Sequence, residues 1–477
     1  MTPRGAATLA RITVLVAPFV VWVPGSAAQE ERAAIPGVSL GFVYEGERIP
    51  PIALQPFTGG GAAAEIASII ATDLDYSDRF YVRDSLPAGV DTEGIQYSLW
   101  DQYGVDWLLT GNIDREDGVT FLDVELHDIV FSSIRSRARF PIPPPGHEAF
   151  RLAVHRISDA VVEWVHGEPG MAASRIVFSM RPFGNPDSKE LYVVDSDGEG
   201  LQRATWDDDL AVSPAWSPDG VRIAYTSYKS GLPRIYELNL VDGSERTVES
   251  NSSGAQQFSP SYHPDGDRIA FWTLEGGDTK GISTYNIRDG CCLTRLIAGY
   301  HQNIQPSYSR DGSKLAFLSN RLGPQTPQIY VMPGEGGDAE LLSPYQYGQG
   351  GYFADPDWSP TADKVAFAGG IVDERVYNQY DIFVRDMDAP DNRLVRLTNE
   401  GNNEDPSWAP DGRHLVFAGA RSYGYGVLVV DTATGRTRLL VAGVRAEDTD
   451  WSPGLSWRGD GVETGGPGSG TRPKDAR

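Results

Sequence analysis

The chain has 477 residues, of which 40% are hydrophobic and 22% are charged, so it is expected to fold rather than to stay disordered. Its length exceeds that of one ordinary domain and indicates more than one hydrophobic core. Asp and Glu number 65 against 41 Lys and Arg, which gives a formal net charge of −24. A surface this acidic repels phosphate backbones, and we expect no nucleic acid among the partners.

The first 28 residues have the pattern of a secretory signal peptide. Arg4 and Arg11 precede an apolar run over residues 12–23, and the small residues Ser26 and Ala28 follow it. The run is shorter than the about 20 residues that a membrane-spanning helix needs, and no later segment of the sequence reaches that length. We therefore expect cleavage after Ala28 and an exported chain without an integral membrane segment.

The hydrophobic pattern of residues 49–168 predicts a small α/β domain. Ile66, Ile70 and Leu74 recur at the spacing of one helix face, and apolar and polar residues alternate from Leu122 to Leu126 as in a half-buried strand. The pattern predicts strands at residues 51–57, 80–82, 105–110, 122–126 and 134–140, and helices at residues 66–74, 98–103 and 150–165.

A glycine-rich segment of this domain imitates a dinucleotide-binding fingerprint. Gly59, Gly61 and Ala64 match the G-x-G-x-x-A spacing between a strand and a helix, with Asp84 after the next strand. Residues 56–58 separate the strand from the glycines, however, and a domain of about 115 residues is half the size of a dinucleotide fold. We therefore expect neither an NAD site nor any other cofactor.

A repeated motif dominates the second half of the chain. Its first copy is Trp216-Ser-Pro-Asp-Gly220, and the aromatic residue recurs at spacings of 46, 46, 50, 50 and 43 residues. The six copies begin at Trp216, Tyr262, Tyr308, Trp358, Trp408 and Trp451. Pro, Asp and Gly suit a tight turn, and the aromatic residue can pack between sheets, so we interpret the motif as structural. Four short strands per repeat is the size of one propeller blade.

The order of the strands predicts how the ring closes. Residues 175–205 contain three strands of a blade that lacks its first strand, and Asp448–Trp451 is a first strand without a blade. Pairing the two completes six blades and removes two exposed sheet edges. The predicted fold is mainly β: a six-bladed β-propeller over residues 173–457, preceded by the α/β domain. Residues 458–477, rich in Gly and charge, are expected to form a disordered tail.

The chain has two cysteines, Cys291 and Cys292, and they are adjacent. Neighbouring cysteines rarely form a disulfide because the ring is strained, so a vicinal disulfide and two free thiols both remain open. A metal site would need further ligands, and the sequence offers none at a recognisable spacing.

Motifs for hydrolysis are incomplete. Ser39 lies in a G-x-S-x-G pattern, but that pattern needs a turn from a strand into a helix, and none is predicted there. His147-Glu148 is followed by Arg151 where a zinc protease has its second histidine. We therefore assign no catalytic residue and no metal ligand, and a propeller-associated hydrolase is the least favoured of the functions considered.

The chain resembles the TolB family, the periplasmic component of the Tol–Pal envelope system. The similarity lies in residues 51–57 with the glycines and helix after them, in Trp107–Gly111, and in the Ser-Pro-Asp-Gly repeats, which are similar to a WD40-like propeller. The resemblance implies binding without catalysis: docking of the peptidoglycan-associated lipoprotein Pal on the propeller, in support of outer-membrane integrity, invagination at cell division and protein import.

The resemblance also implies two binding regions. An N-terminal arm, residues 29–48, would switch between partners that include TolA, through the apolar residues Val38, Leu40, Phe42 and Tyr44. The same apolar segment equally fits an ordinary edge strand of its own domain. The Pal-binding mouth would be formed by the loops that lead into the first strand of each blade. Its neutral donors and acceptors, which suit a polar interface, are Gln256, Gln257, His301, Asn303, Asn402 and Asn403.

The alternative function is an exported propeller that binds a glycan or a small ligand. It predicts an aromatic pocket at the channel mouth, for which Tyr345, Tyr347, Tyr352 and Phe353 are the candidates.

Overall fold

The computed structural model describes residues 48–83, 85, 94–182, 184–248, 254–275, 279–345, 351–371, 379–389 and 393–455. The predicted signal peptide, the arm residues Val38, Leu40, Phe42 and Tyr44, and the predicted tail lie outside these residues. No helix in the described ranges is long and apolar enough to cross a membrane.

The N-terminal domain is a five-stranded sheet with three helices. In chain order its elements are β1 Pro51–Leu54, α1 Ala63–Tyr76, β2 Tyr81–Val82, α2 Tyr97–Gln102, β3 Trp107–Glu116, β4 Val119–Asp128, β5 Ser133–Pro141 and α3 Phe150–His166. The strand order is β2-β1-β3-β4-β5, with β1 parallel to both neighbours and β3 to β5 antiparallel. The predicted helices and strands are confirmed, although β1 ends three residues early and β3 runs six residues further.

One hydrophobic core holds α1 and α3 on the sheet. Ile66 and Ile70 of α1 and Val154 and Ile157 of α3 are all buried in it, as their helical spacing predicts. Trp100 of α2 is buried in a smaller cluster with strand residues of the same sheet. The α3 helix ends at Gly167, whose φ of 71° is the left-handed conformation that glycine adopts readily.

The first glycine of the G-x-G-x-x-A segment has a packing role. Gly59 has a φ of +92°, and a Cβ there would overlap the carbonyl oxygen of Ile113 in β3. Opposite, a Cβ on Gly111 would lie 2.7 Å from the Phe57 ring. The segment after β1 therefore crosses β3 at a distance that only glycine allows at position 59, whereas nothing lies within 4 Å of a Cβ on Gly61.

The rest of the described chain forms six four-stranded antiparallel sheets. Their strands are β6 Arg175–Met180, β7 Glu190–Asp195, β8 Gln202–Arg203, β9 Ala211–Trp216, β10 Arg222–Ser227, β11 Arg234–Asn239, β12 Glu245–Thr247, β13 Gln256–Tyr262, β14 Arg268–Glu275, β15 Thr279–Asn286, β16 Cys291–Gly299, β17 Asn303–Tyr308, β18 Lys314–Ser319, β19 Gln328–Pro333, β20 Glu340–Leu341, β21 Gly351–Trp358, β22 Lys364–Ile371, β23 Asp381–Asp386, β24 Leu394–Arg396, β25 Asn402–Trp408, β26 His414–Arg421, β27 Gly424–Asp431, β28 Thr437–Ala442 and β29 Glu447–Trp451.

The ring closes as predicted. The last strand, β29, pairs with β6, and Trp451 lies opposite Ile176, so one blade has the order β29-β6-β7-β8. We call this pairing the seam. Trp451 is 5% exposed, and its Nε1 donates to Ser174 Oγ at 2.7 Å. The six-bladed propeller is therefore confirmed.

The repeated motif has the structural role that its residues predict. Its six aromatic residues are all buried. In the first copy, Asp219 accepts a hydrogen bond from the backbone of Val221 at 3.1 Å, and Gly220 has a φ of 69°. The turn therefore depends on an acceptor at one position and on left-handed backbone at the next.

A vicinal disulfide joins Cys291 to Cys292 at the start of β16. Of the two alternatives that the sequence left open, the structure has the bonded one.

Candidate functional site

The central channel is lined by the first strand of each blade, and each of these strands contains one bulge. At the bulge a non-glycine residue has a φ between 46° and 55° and the pairing register shifts. We call these residues, which face the channel, the inner ring: Ser213, Ser259, Gln305, Asp355, Asp405 and Asp448. In the first five of them a proline follows directly.

Half of the inner ring is acidic. Asp355, Asp405 and Asp448 come from three consecutive blades, and the backbone N–H of Asp448 donates to Asp405 Oδ2 at 2.7 Å. Burial, with the carboxylates of Asp448 and Glu404, raises the pKa of Asp355 to about 7. Burial and the neighbouring Asp355 carboxylate also raise the pKa of Asp405. The channel is therefore electronegative on one side.

A second layer of side chains joins neighbouring blades. Asp450 accepts from the backbone N–H of Trp216 at 2.6 Å, and Asp357 accepts from that of Trp408 at 2.8 Å. Both bonds run from one blade to the motif tryptophan of another, so these two aspartates fix the blades to each other. Burial raises the pKa of Asp357 to about 6, and the hydrogen bonds that it accepts oppose that rise.

The two ends of the channel differ. At one end, the second halves of the inner strands and Phe140, Arg156 and Glu163 of the N-terminal domain enclose a cavity of about 930 Å³. The N-terminal domain therefore lies over this end. The first residues of the inner strands lie at the other end, which we call the open mouth. A cavity of about 640 Å³ is lined there by Tyr352, Tyr380, Asn402, Tyr425 and Arg445, among others.

Two family models match the chain with this architecture. The TolB β-propeller domain matches residues 162–455, and the TolB amino-terminal domain matches residues 43–133. The chain belongs to the TolB family.

Relatives and solved structures agree with this assignment. A Tol-Pal system protein TolB from Albidiferax ferrireducens is 33% identical over 202 residues, which are 42% of this chain and 46% of that protein. One from Nitrosomonas europaea is 34% identical over 208 residues, 43% and 47% of the two chains. This TolB-family chain thus spans about half the length of the curated relatives in these matches. The crystal structure of TolB from Acinetobacter baumannii covers 85% of this chain and 97% of its own, with a TM-score of 0.73 and 25% identity.

Three of the residues predicted for the mouth are buried. Gln257 is 1% exposed and accepts from the backbone of Ile235 at 3.1 Å, and Asn303 is 2% exposed and accepts from Ser319 Oγ at 3.1 Å. Asn403 is fully buried and bonds to Tyr380 O and to Arg421, among others. Each lies two positions before an inner-ring residue, where the side chain points into the blade. Gln257 and Asn403 thus bond to the preceding blade and Asn303 to its own, so the hydrogen bonds of these side chains are made inside the propeller.

The other three predicted residues reach the surface. Gln256 and Asn402 lie three positions before an inner-ring residue and are half-buried, and His301 is exposed in the loop before β17. Asn402 lines the cavity of the open mouth. The structure therefore brings half of the predicted set to the open mouth.

Tyr352 was named at the channel mouth from the sequence, but the other aromatic side chains that the structure places there were not singled out. Trp206 is 68% exposed, Tyr300 is 93% exposed and Tyr425 is 51% exposed. Inside the rim, the rings of Tyr352 and Tyr380 lie 5.3 Å apart. Trp206 and Tyr300 begin two of the loops assigned to the mouth, so their position was readable from the repeat. Exposed Trp and Tyr are typical of protein-binding surfaces.

The aromatic set predicted for a glycan pocket does not come together in the described residues. Phe353 is 1% exposed and packs against Phe367 and Phe383 inside its blade. Tyr347 lies outside the described residues, and Tyr345 is half-buried. Of the four, Tyr352 lines the cavity at the open mouth.

Two groups of side chains place possible metal ligands within 4.8 Å of one another: Asp73, His155 and Asp197, and Asp78, His414 and Asp431. In both groups arginines already bond the carboxylates, Arg151 with Asp197 and Arg413 with Asp431. These guanidinium groups supply the positive charge that a metal would bring, so we interpret both groups as ion-pair networks.

One buried cluster has the residue types of a catalytic triad without its geometry. Ser158 Oγ and His155 Nδ1 both bond to Asp73 Oδ2, at 2.6 Å and 2.8 Å. In a triad the serine bonds to the histidine instead. All three side chains are buried, so the cluster is structural. Ser39 lies outside the described residues.

Proposed function

We propose that this chain is a non-catalytic, periplasmic component of the Tol–Pal system whose open mouth docks the peptidoglycan-associated lipoprotein Pal. The observation that carries the proposal is the surface at the open mouth, where exposed Trp206, Tyr300 and Tyr425 surround a polar channel. Aromatic anchors around a polar centre suit a protein partner better than a small substrate. Docking there would support outer-membrane integrity and invagination at cell division.

The electronegative channel favours one kind of contact from the partner. Glu404 and Glu447 line the mouth cavity beside the inner-ring carboxylates. A partner segment that inserts here would need N–H donors or positive charge, because a second set of carboxylates would be repelled. We therefore propose that Pal presents such groups to the channel.

Calorimetric titration with the soluble domain of Pal from the same organism tests this function. Tyr300→Ala is expected to weaken binding about tenfold or more, because truncation of an interface aromatic removes a large contact area. Tyr81→Ala is the matched control, since Tyr81 is 57% exposed on the N-terminal domain. Equal affinities for both variants would contradict the docking site, and binding of glycan fragments without Pal would favour the glycan function.

We further propose that the N-terminal arm binds TolA. The described chain begins at Arg48, which bonds to Asp106 at 3.0 Å and lines a cavity of about 380 Å³ with residues of both domains. The described chain therefore begins beside the domain interface. A chain without residues 29–47 is expected to lose TolA binding and to keep Pal binding, and retained TolA binding would contradict this role.

Export and the domain limits belong to the same proposal. We propose cleavage after Ala28, an α/β domain over residues 49–168 and a propeller over residues 173–457. The mass of the protein from the periplasmic fraction tests the cleavage site, since a chain that still carries residues 1–28 would exclude it.

A further inference from the structure

Two buried histidines lie between the N-terminal domain and the propeller, and each domain supplies one. His414 is the first residue of β26 in the propeller, and His155 lies in α3 of the N-terminal domain. They are 0% and 1% exposed. Both have carboxylates on either side of the ring, one from each domain.

His414 is placed between two aspartates. Its Nδ1 lies 2.6 Å from Asp411 Oδ2 of the propeller, and its Nε2 lies 3.2 Å from Asp78 Oδ2 of the N-terminal domain. A neutral imidazole has a single N–H and can donate to only one of these carboxylates. Both bonds form together only when the ring carries a second proton.

His155 has the same arrangement with the domains exchanged. Its Nδ1 lies 2.8 Å from Asp73 Oδ2 of its own domain. Its Nε2 has no hydrogen-bond partner in the described chain and faces Asp197 Oδ2 of the propeller at 4.0 Å. The protonated ring would attract Asp197 across the interface, whereas a neutral ring could present a lone pair to it.

Other charged groups surround both rings. Around His414, Arg438 and Arg436 lie beside Asp78, and Arg413 pairs with Asp431. Around His155 the additional groups are Ser158, Asp159, Asp195 and Arg151, of which Arg151 pairs with Asp195 and Asp197. The arginines keep their charge at all accessible pH values. Near neutral pH the charge therefore changes on the two histidines and on Asp159, whose pKa burial raises to about 7. The Asp159 carboxyl accepts hydrogen bonds from the backbone of Ala172 and Ala173, whereas each histidine faces carboxylates of both domains.

We propose that His155 and His414, both protonated, form a pH-sensitive clamp that holds the N-terminal domain on the propeller and loosens as the pH rises. A periplasmic protein would experience the pH of the medium directly. The clamp is also close to the last residue of the arm, because Asp78 and Arg413 line the same cavity as Arg48. A looser interface would therefore change the surroundings of the point where the arm joins the N-terminal domain.

The direction of the pH effect follows from the charges. Burial lowers the pKa of His414, but the carboxylates of Asp411 and Asp78 outweigh it and the net pKa is raised. Burial likewise lowers the pKa of His155, and Asp73 with Asp197 raises it overall. A histidine whose pKa is raised in the docked state stabilises docking fully below about pH 6.5, and this contribution is lost as the pH rises through the docked-state pKa.

Hydrogen exchange measured by mass spectrometry on the full chain tests the clamp. After correction for intrinsic rates, the protection of residues 73–79 and 195–198 is expected to fall between pH 6 and pH 9. Each histidine contributes up to about tenfold per pH unit above pH 6.5 until its docked-state pKa is passed. Protection of the propeller strand β14, whose blade carries none of the inner-ring aspartates, should change far less and serves as the internal reference. The same protection at pH 6 and pH 9 in the unmodified chain would overturn the proposal.

Substitutions of the two histidines distinguish loss of the clamp from a general loss of stability. The double variant His155→Gln, His414→Gln is expected to show low interface protection already at pH 6, with little change up to pH 9. His147→Gln, at an exposed histidine of the same domain, should keep the wild-type profile. If the double variant fails to fold, β14 loses protection as well. The single variant His155→Gln is then expected to show a smaller fall of interface protection with pH than the unmodified chain. A wild-type slope in the variant that folds would overturn the proposal.

Discussion

At the scale of single residues, the register around each bulge decides which side chains can meet a partner. Gln257, Asn303 and Asn403 are buried inside the propeller, whereas Gln256 and Asn402, one position before Gln257 and Asn403, reach the mouth. The sequence predicted the loops but not this difference, because a one-residue shift in a strand reverses the direction of every side chain. The proline that follows most inner-ring residues was the available signal for the bulge.

The acidic side of the inner ring predicts a stabilising substitution that depends on pH. The pKa of Asp355 is about 7 in the folded chain, above the roughly 3.9 of an unfolded one, so its carboxylate destabilises the fold increasingly as the pH rises through this range. Asp355→Asn is therefore expected to raise the Tm at pH 8 and to change it little at pH 4. The rise should be roughly 2–4 °C for each kcal/mol of destabilisation that the ionised carboxylate causes. Calorimetry of this variant and of the exposed-site control Asp338→Asn measures the effect. An equal shift at both pH values would show that the charge is not the cause.

The close crossing of β3 predicts a large cost for one glycine and none for its neighbour. Gly59→Ala would place a Cβ against the Ile113 carbonyl at a positive φ, and we expect a loss of roughly 1–3 kcal/mol or more. Gly61→Ala is the control, since nothing lies within 4 Å of its added Cβ. Denaturant unfolding measures both. Similar stabilities of the two variants would refute the packing explanation.

At the scale of elements, the sequence was sufficient where the signal is local. Each blade repeats its own turn chemistry and strand pattern, so the number of blades and the pairing of β29 with β6 could be predicted by matching incomplete ends. The N-terminal domain was predicted in the same way from periodicity. The boundaries were less accurate, because the length of β3 depends on pairing with all ten residues of β4 rather than on its own sequence.

The seam predicts that the last strand stabilises the whole ring. Trp451→Ala removes a buried indole that donates a hydrogen bond to Ser174 Oγ, and we expect a loss of about 3–5 kcal/mol. Trp206→Ala, at an exposed tryptophan, should change stability by no more than about 0.5 kcal/mol. Urea unfolding compares the two variants. A loss below about 1 kcal/mol for Trp451→Ala would mean that the ring does not depend on this closure.

At the scale of the whole molecule, the contacts that matter join residues far apart in the chain. Asp78 meets His414 across 336 positions, and the acidic half of the inner ring is assembled from three blades. Local patterns contain no information about such distances, so the domain interface and the charge of the channel could not be predicted. The positions of the exposed aromatic residues at the open mouth could be predicted in part, because the loops that carry Trp206 and Tyr300 follow from the repeat.

The central claim is that Pal docks at the open mouth, and site-specific photocrosslinking in the cell envelope tests it most directly. A photoreactive phenylalanine analogue is placed at Tyr300 on the rim or at Tyr81 on the N-terminal domain. We expect a crosslinked product with Pal from position 300 and none from position 81. Crosslinks from position 81 alone, or from both positions equally, would contradict docking at the open mouth.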